Sequence, residues 1–294
     1  MDDALGSRAM DDDELLVAFD RQVRRAATAP AGFRVDVVDD PAPLLRLTAV
    51  NPEAGWGGGV FWCDLDETNA DAAIAAAIAW FQDKVEEFEW KYYAYDRPAD
   101  LPDRLRAAGL EPDDDEALVV GEVAVVRERL AAAVDPPGIT VRRLHGDPAG
   151  AARDWQGMND LQQAVWGHKA AAQNASIAAE LAADPTGTSV WVAVADDGTD
   201  GERVVCAARA NFHHGTDFAS LWGGSTLEAY RGRGIYKALV ARRAEEAADR
   251  GFRYLQVDAS PDSRPILQRL GLRALTSTTP WVWRRARRDR PAST

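Results

Sequence analysis

The sequence predicts a mixed α/β protein of two domains, residues 1–135 and 136–294, each a mostly antiparallel mixed sheet flanked by helices. Three observations predict it. Short runs with strand-like alternation are interleaved with stretches of helical period along the whole chain. Charge is split unevenly: residues 1–135 hold 13 Lys and Arg against 30 Asp and Glu, residues 136–294 hold 21 against 17, and the acid excess ends at the linker-like Asp135-Pro136-Pro137-Gly138. Finally, Arg231-Gly232-Arg233-Gly234-Ile235-Tyr236 stands between an apolar strand-like run and a helical pattern, which is how an anion site at a helix N-terminus is built.

The elements follow in order. Asp11-Asp12-Asp13-Glu14 leads into a helical run from Leu15 to Ala27, with Asp13 the expected cap. Strand-like runs occupy Phe33 to Val38, Leu44 to Val50 and Val60 to Leu65, the last two joined through Pro52 and Gly55-Trp56-Gly57-Gly58-Gly59. From Ala70 to Phe88, Ile74, Ile78, Phe81 and Val85 recur at spacings of three and four, one apolar helical stripe. Glu89 to Tyr95 alternates as a strand, Asp100 to Ala108 reads as a short helix closed by Gly109, and Leu118 to Val126 reads as a strand before the join at Glu128 to Ala133.

The second half opens with a strand at Ile139 to Leu144. Helices are expected at Ala149 to Val165 and Asn174 to Asp184, parted by Trp166-Gly167-His168. Strands at Ser189 to Ala195, Val204 to Asn211 and Phe218 to Thr226 are joined by the polar turn Asp196 to Gly201 and by His213-His214-Gly215-Thr216. After the glycine turn come a helix at Lys237 to Asp249, a strand at Tyr254 to Ala259, a short helix at Arg264 to Leu270 stopped by Gly271, and a strand at Ser277 to Trp283.

Composition narrows the function classes. With a net charge of −13 the protein is expected to repel nucleic acid and anionic membrane, and the basic tail Arg284 to Arg290 reads as a solvated end. Two cysteines, Cys63 and Cys206, make no disulfide framework in a chain of this size. The acidic start lacks a signal-peptide layout, and no apolar run approaches the roughly 20 residues a bilayer requires, so a cytoplasmic location is expected.

The glycine turn expects a phosphate. Its glycines let backbone approach a ligand, first-turn N–H groups lack helical partners, and Arg231, Arg233 and Lys237 add cations. A P-loop requires Lys-Ser/Thr after its second glycine, where Ile235-Tyr236 stands, and a Rossmann fingerprint follows a first parallel strand rather than three antiparallel ones.

Residues 139–284 resemble the Gcn5-related N-acetyltransferase (GNAT) family in element order and in two motifs. Arg231, Gly232, Arg233, Gly234 and Ile235 match the family's Gln/Arg-x-x-Gly-x-Gly/Ala turn; Tyr236 departs from it, since a small residue is usual there. Ser260-Pro261-Asp262-Ser263-Arg264-Pro265-Ile266-Leu267-Gln268-Arg269-Leu270-Gly271-Leu272 is similar to the family's second acyl-CoA segment. Ala99 to Leu110 echoes the same ending without a preceding turn, so the resemblance implies a tandem protein whose N-terminal copy has lost its cofactor.

The resemblance implies a fold, a co-substrate and roles. Acetyl-CoA is expected, with pantetheine on Ser225, Thr226 and Leu227, pyrophosphate on Arg231 and the N–H groups of Gly232, Arg233, Gly234, Ile235 and Tyr236, and Ser260 and Ser263 also binding the cofactor or capping the short helix. Gly223-Gly224 marks a bulge where a ligand comes close. A base must leave the acceptor amine neutral; the candidates are Glu228, Asp217, His213 and His214, and Asp160 is a candidate for a cationic acceptor. Leu267 occupies the position where many members carry a proton-donating tyrosine, so the thiolate leaves unassisted or takes a proton through Tyr236, Ser260 or Ser263. Trp155 and Trp166 line an acceptor pocket or pack in the core; Trp281 and Trp283, pointing the same way, read as core or interface. The expected activity is acetyl transfer from acetyl-CoA to a small-molecule amine by direct attack in a ternary complex, by a monomer or homodimer without metal. A silent acyl-CoA-binding regulator and a protein lysine or N-terminal acetyltransferase are the alternatives.

Overall fold

The structure is a computed structural model that describes residues 10–26, 29, 33–50, 57–145, 151–167, 171–196 and 201–285. Ala27, Pro52, Gly55, Trp56, Ala149, His168, residues 197–200 of the turn Asp196 to Gly201 and the tail beyond Arg285 lie outside them.

Helix α1 (Asp12–Phe19) starts three residues before the expected Leu15. Asp11 rather than Asp13 caps it, in a capping box where Asp11 Oδ1 accepts from Glu14 N–H at 2.9 Å and Glu14 accepts from Asp11 N–H at 3.0 Å. The chain continues as a π-helical turn, Asp20–Arg24, and enters the antiparallel strands β1 (Phe33–Val38), β2 (Leu44–Ala49) and β3 (Gly58–Cys63). Helix α2 (Ala70–Phe81) ends short of the expected Phe88. Val85 keeps its place in the core from the turn after the helix, and Phe88 belongs to β4 (Glu87–Tyr93), where it stacks on Phe81 at 4.5 Å.

After α3 (Leu101–Ala107) and the two-residue β5 (Glu111–Pro112), the strand expected at Leu118 to Val126 divides into β6 (Glu116–Glu122) and α4 (Val123–Leu130). Its valines satisfied either reading, but Val123, Val126 and Leu130 fall three and four apart and bury together, which is helical periodicity.

The second half runs β7 (Ile139–Arg143), α5 (Ala152–Trp166), α6 (Ala171–Ala183), β8 (Thr188–Asp196), β9 (Glu202–Phe212), β10 (Phe218–Thr226), a 3₁₀ turn at Glu228–Tyr230, α7 (Ile235–Asp249), β11 (Tyr254–Ala259), α8 (Arg264–Arg269) and β12 (Arg273–Arg284). Apart from β5, which pairs with β12, the strands form one sheet in the order β1-β2-β3-β4-β12-β6-β11-β10-β9-β8-β7. That order is close to a palindrome: β1-β2-β3-β4 is mirrored by β8-β9-β10-β11, and in each set the last pair, β3–β4 or β10–β11, is parallel.

The two central strands are exchanged. β12 lies against β4 of the first half and β6 lies against β11 of the second, so each half's sheet is continued by the other half's final strand. Trp281 accordingly buries in the core of the first half, and Trp283 packs against it. Helix α1 covers this seam: Leu15, Ala18 and Phe19 pack on Tyr93, Leu118 and Val120 and on Phe218 and Tyr254 from the other half.

Under the seam a buried polar cluster joins the halves. Lys91 Nζ on β4 lies 2.6 Å from Glu116 on β6 and 3.3 Å from Asp258 on β11. Asp258 also accepts from Gln256 (3.0 Å) and Tyr93 (3.3 Å). Burial pushes the carboxyls of Glu89 and Glu116 up, and the surrounding carboxylates hold the Lys91 ammonium well above its ordinary value despite its desolvation.

Candidate functional site

The site begins where β10 parts from β11. The two are paired in parallel only from Phe218–Tyr254 to Ser220–Gln256, after which they diverge into a fork. On its other side β10 slips register against β9 between Trp222 and Ser225. Gly223 supplies the positive φ (63°) this bulge requires, and both Gly223 and Gly224 are exposed in the fork. Ser225 Oγ is buried without a hydrogen-bond partner. Thr226 turns its hydroxyl to Cys206 Sγ (3.1 Å), and the Leu227 N–H bonds to Val205.

Beyond the 3₁₀ turn the chain swings into α7 through Gly232 (φ 74°) and Gly234 (φ 83°), conformations that suit glycine. A Cβ on either would meet nothing within 4 Å, so the turn is an open cradle. Among the described residues, the N–H groups from Gly232 to Lys237 have no backbone acceptor; the first bond of α7 is Ala238 N–H to Gly234. Arg231, Arg233 and Lys237 are exposed and form no ion pair among the described residues; Arg231 Nε reaches the Thr226 carbonyl at 3.3 Å and Arg233 lies over the Tyr230 ring at 4.9 Å. Unpaired N–H groups, three unpaired cations and the orphaned Ser225 hydroxyl beside a fork are a donor set suited to a phosphorylated, extended ligand.

The corresponding place in the first half is filled from within. Before α2, Asp66 Oδ1 accepts from the N–H of Thr68 (2.8 Å) and Asn69 (3.0 Å) and from the Thr68 hydroxyl (2.7 Å), which lowers the Asp66 pKa. A carboxylate of the chain thus holds the donors a phosphate would need. The glycines of β3 serve backbone packing instead: a Cβ on Gly58 or Gly59 would collide with the carbonyl of Leu47 or Glu89.

Tyr236, the residue out of pattern in the turn, has a structural partner. Its ring edge lies where a Cβ on Gly224 would come within 2.8 Å, so the glycine makes room for the aromatic ring. The phenol lies near Arg243 and Cys206, and burial raises its pKa. Cys206 is on β9, the neighbour of β10, and Gly224, against which the Tyr236 ring packs, is in the fork. Arg243 is buried and donates to the carbonyls of Leu239 and Arg209.

The remaining candidates separate by position. Asp217 is at the far end of β10, nine residues from Thr226, where its carboxylate and N–H exchange hydrogen bonds with Gln22 (3.0 and 2.7 Å); it holds the two halves together and does not reach the fork. His213 is at that same end, 2.7 Å from Ser220 Oγ, and burial depresses its pKa to about 4, so it is neutral and embedded. His214 is exposed beside Asp184 (3.2 Å). Glu228 is exposed at the rim of the turn. Ser260 and Ser263 bond to one another in the turn before α8, with Ser263 N–H to Ser260 Oγ at 3.3 Å. Leu267 is fully buried.

Asp160 and Leu227 line a cleft of about 360 Å³ between α5 and the start of β9, together with Gly157, Glu202 and Val204. Asp160 accepts from Gln156 at 2.9 Å and has no ion pair among the described residues. Trp155 packs in the core, while Trp166 at the end of α5 is 37% exposed.

A forked parallel pair, a bulge and a glycine turn at a helix N-terminus agree with the acetyltransferase (GNAT) family model, which matches residues 155–272. Residues 155–272 form a GNAT domain. The whole chain has a two-domain GNAT fold: it is similar to a GCN5-related N-acetyltransferase from Kribbella flavida (15% identity, TM-score 0.59, 95% of this chain and 96% of that one). It is also similar to a tandem GNAT protein from the clavulanic acid biosynthesis pathway (13%, TM-score 0.56, 95% and 97%) and to a functionally unknown conserved protein from Staphylococcus epidermidis ATCC 12228 (10%, TM-score 0.61, 92% and 100%). No curated protein gives a significant match. Among the described residues, no helix is long and apolar enough to cross a membrane, and no group of His, Cys, Asp and Glu is placed to hold a metal ion.

Sequence reasoning found the turn but missed Arg209, Arg243, Lys91 and Asp258. Each lies in a strand or helix where a single charged residue reads as a solvated position, and only the tertiary packing buries it.

Proposed function

We propose that the GNAT domain is an acyl-CoA-dependent N-acyltransferase that moves acetyl from acetyl-CoA to a small-molecule amine by direct attack in a ternary complex. The observation that carries this reading is the open turn, whose N–H groups have no backbone acceptor and whose three cations have no ion pair among the described residues, beside the forked strand. The N–H groups of Gly232 to Tyr236, with Arg231, Arg233 and Lys237, hold the pyrophosphate. Exposed backbone at Gly223 and Gly224 and the Ser225 hydroxyl pair with the pantetheine, and a backbone N–H at the bulge stabilises charge that develops on the carbonyl oxygen. When bound, acetyl-CoA supplies an activated carbonyl and a thiolate leaving group.

The acceptor must arrive neutral. Glu228 at the rim accepts its proton through water, and Asp160 in the neighbouring cleft attracts the ammonium form beforehand. Leu267 is buried and burial raises the Tyr236 pKa, so the thiolate leaves without a side-chain acid, as its modest basicity allows. That same lack of a donor favours a second reading, a silent acyl-CoA-binding protein.

Thiol release from acetyl-CoA, measured with a broad panel of small amines and of peptides, separates these readings. Turnover on small amines is expected; turnover on peptides alone points to a protein acetyltransferase, and tight binding without turnover to the silent regulator. Gly234→Trp places a side chain in open space at a strained φ and is expected to abolish acetyl-CoA binding while the protein stays folded. Unchanged affinity refutes the site.

A further inference from the structure

Among the described residues, one arginine beside the fork has no hydrogen-bond or ion-pair partner. On the face of the sheet carrying α5 and α6, Val190, Arg209 and Trp222 are cross-strand neighbours on β8, β9 and β10. This row lies just beyond Ser220–Gln256, the last rung joining β10 to β11, so Trp222 stands at the crotch of the fork and Arg209 about one strand spacing, roughly 5 Å, away. The row below fixes the face, since Asn211 donates to Glu180 of α6 (3.0 Å) and its cross-strand partner Ser220 donates to Gln256 (2.6 Å).

The Arg209 guanidinium makes no hydrogen bond or ion pair with any described residue, and its Nε is buried without an acceptor. Glu180 draws on it electrostatically but forms no ion pair with it, and Oε1 of that carboxylate is taken by Thr188 and Asn211. Arg243, buried on the opposite face, differs in degree: its Nε and Nη1 both meet carbonyls, and its Nη2 alone is buried without an acceptor among the described residues. Arg209 is half-buried, but a cation whose Nε is buried without an acceptor is costly, and proteins ordinarily pair it. An arginine kept in that state beside a reacting centre is completed by an anion the ligand brings, and its planar fork matches a carboxylate.

We propose that Arg209 is an acceptor-binding residue and that the acceptor is an amine that also carries a carboxylate, of amino-acid size. The carboxylate lies on Arg209 over the face of the sheet, and the amine reaches past Trp222 to the fork. This rests on the acyl-transfer reading of the fork.

The test compares free amino acids with the corresponding amides and decarboxylated amines in thiol release from acetyl-CoA. The wild-type protein is expected to favour the carboxylate-bearing member of each matched set by roughly 10- to 100-fold in kcat/KM, the range of one charge-assisted contact. Arg209→Met, similar in size, is expected to erase that preference through KM. Equal rates across each set in the wild type, a preference for a phosphorylated amine, or an unchanged preference in the variant overturns the proposal while leaving the acyltransferase reading standing. If no amine is turned over, that reading fails by itself, and calorimetry decides the subsite: N-acetyl amino acids should bind the acetyl-CoA-free protein more tightly than their amides, and Arg209→Met should remove the difference. Equal binding overturns it.

Discussion

Lys91→Met should cost the protein far more than loss of a surface charge, and the cost should depend on pH. The ammonium lies 2.6 Å from Glu116 and 3.3 Å from Asp258, with side-chain exposures of 8%, 27% and 2% for Lys91, Glu116 and Asp258. Removing one partner from a buried ion pair costs about 3–5 kcal/mol; the partial exposure of Glu116 argues for the lower end, about 3 kcal/mol. At ~2.1 cal/mol/K per residue, the unfolding entropy of a chain this long is roughly 0.6 kcal/mol/K, so Tm should fall by about 5 °C. Burial already raises the pKa values of Glu89 and Glu116, and Lys91 pulls both down. Without the lysine they rise further, and a carboxyl whose folded pKa exceeds its unfolded value favours the fold at low pH and loses that contribution as pH climbs through the folded pKa. The deficit of the variant should therefore be largest at pH 7.5 and shrink toward pH 5. Lys91 itself, raised above its ordinary value, contributes fully below about pH 10.5 and adds no slope in that window. Urea titrations at both pH values check this. A loss under 1 kcal/mol, or an equal loss at both, refutes the account of the cluster.

Gly224→Ala should destabilise by about 1–3 kcal/mol through overpacking against Tyr236, and Tyr236→Ala in the same chain should relieve most of that, giving a clear coupling in a double-mutant cycle; simple additivity would show that the ring does not need the glycine. His213, with its pKa depressed to about 4 by burial, contributes stability that is whole above pH 6.5 and is lost between 6.5 and 4, up to about 3 kcal/mol. His213→Asn should flatten that acid limb in denaturant midpoints, and matching limbs would contradict the assignment. Residues 1–135 and 136–294 made as separate chains should stay poorly ordered alone and assemble into a 1:1 complex on mixing, because β6 and β12 are exchanged. A well-dispersed NMR spectrum from either fragment by itself would count against this.

The local features were legible and the non-local ones were not. The glycine turn at Arg231 to Tyr236 shows in sequence because φ demands, cations and helix start are all adjacent residues. The run Leu118 to Val126 misled because β-branched residues suit a buried strand, while the helix beginning at Val123 is chosen by its packing on α7 and α8. Tyr236 looked like a defect in a motif until the chain brought Gly224 beside it. Nothing in β4, β6 or β12 taken singly says which strand will be its neighbour, since alternation fixes a face and not a partner. Arg209 shares that difficulty: one charge in an alternating strand reads as solvent-facing, and only the packed fold covers its Nε.

The exchanged strands also set a timetable for synthesis. β4 is complete at Tyr93 and β6 at Glu122, yet the strand that lies between them begins at Arg273, about 150 residues later. At ~5–20 residues per second, the nascent first half waits roughly 8–30 s with two strand edges open. Open edges invite pairing with other chains, so the interval between translation of β6 and arrival of β12 is when the newborn protein is most exposed to aggregation and most in need of a chaperone.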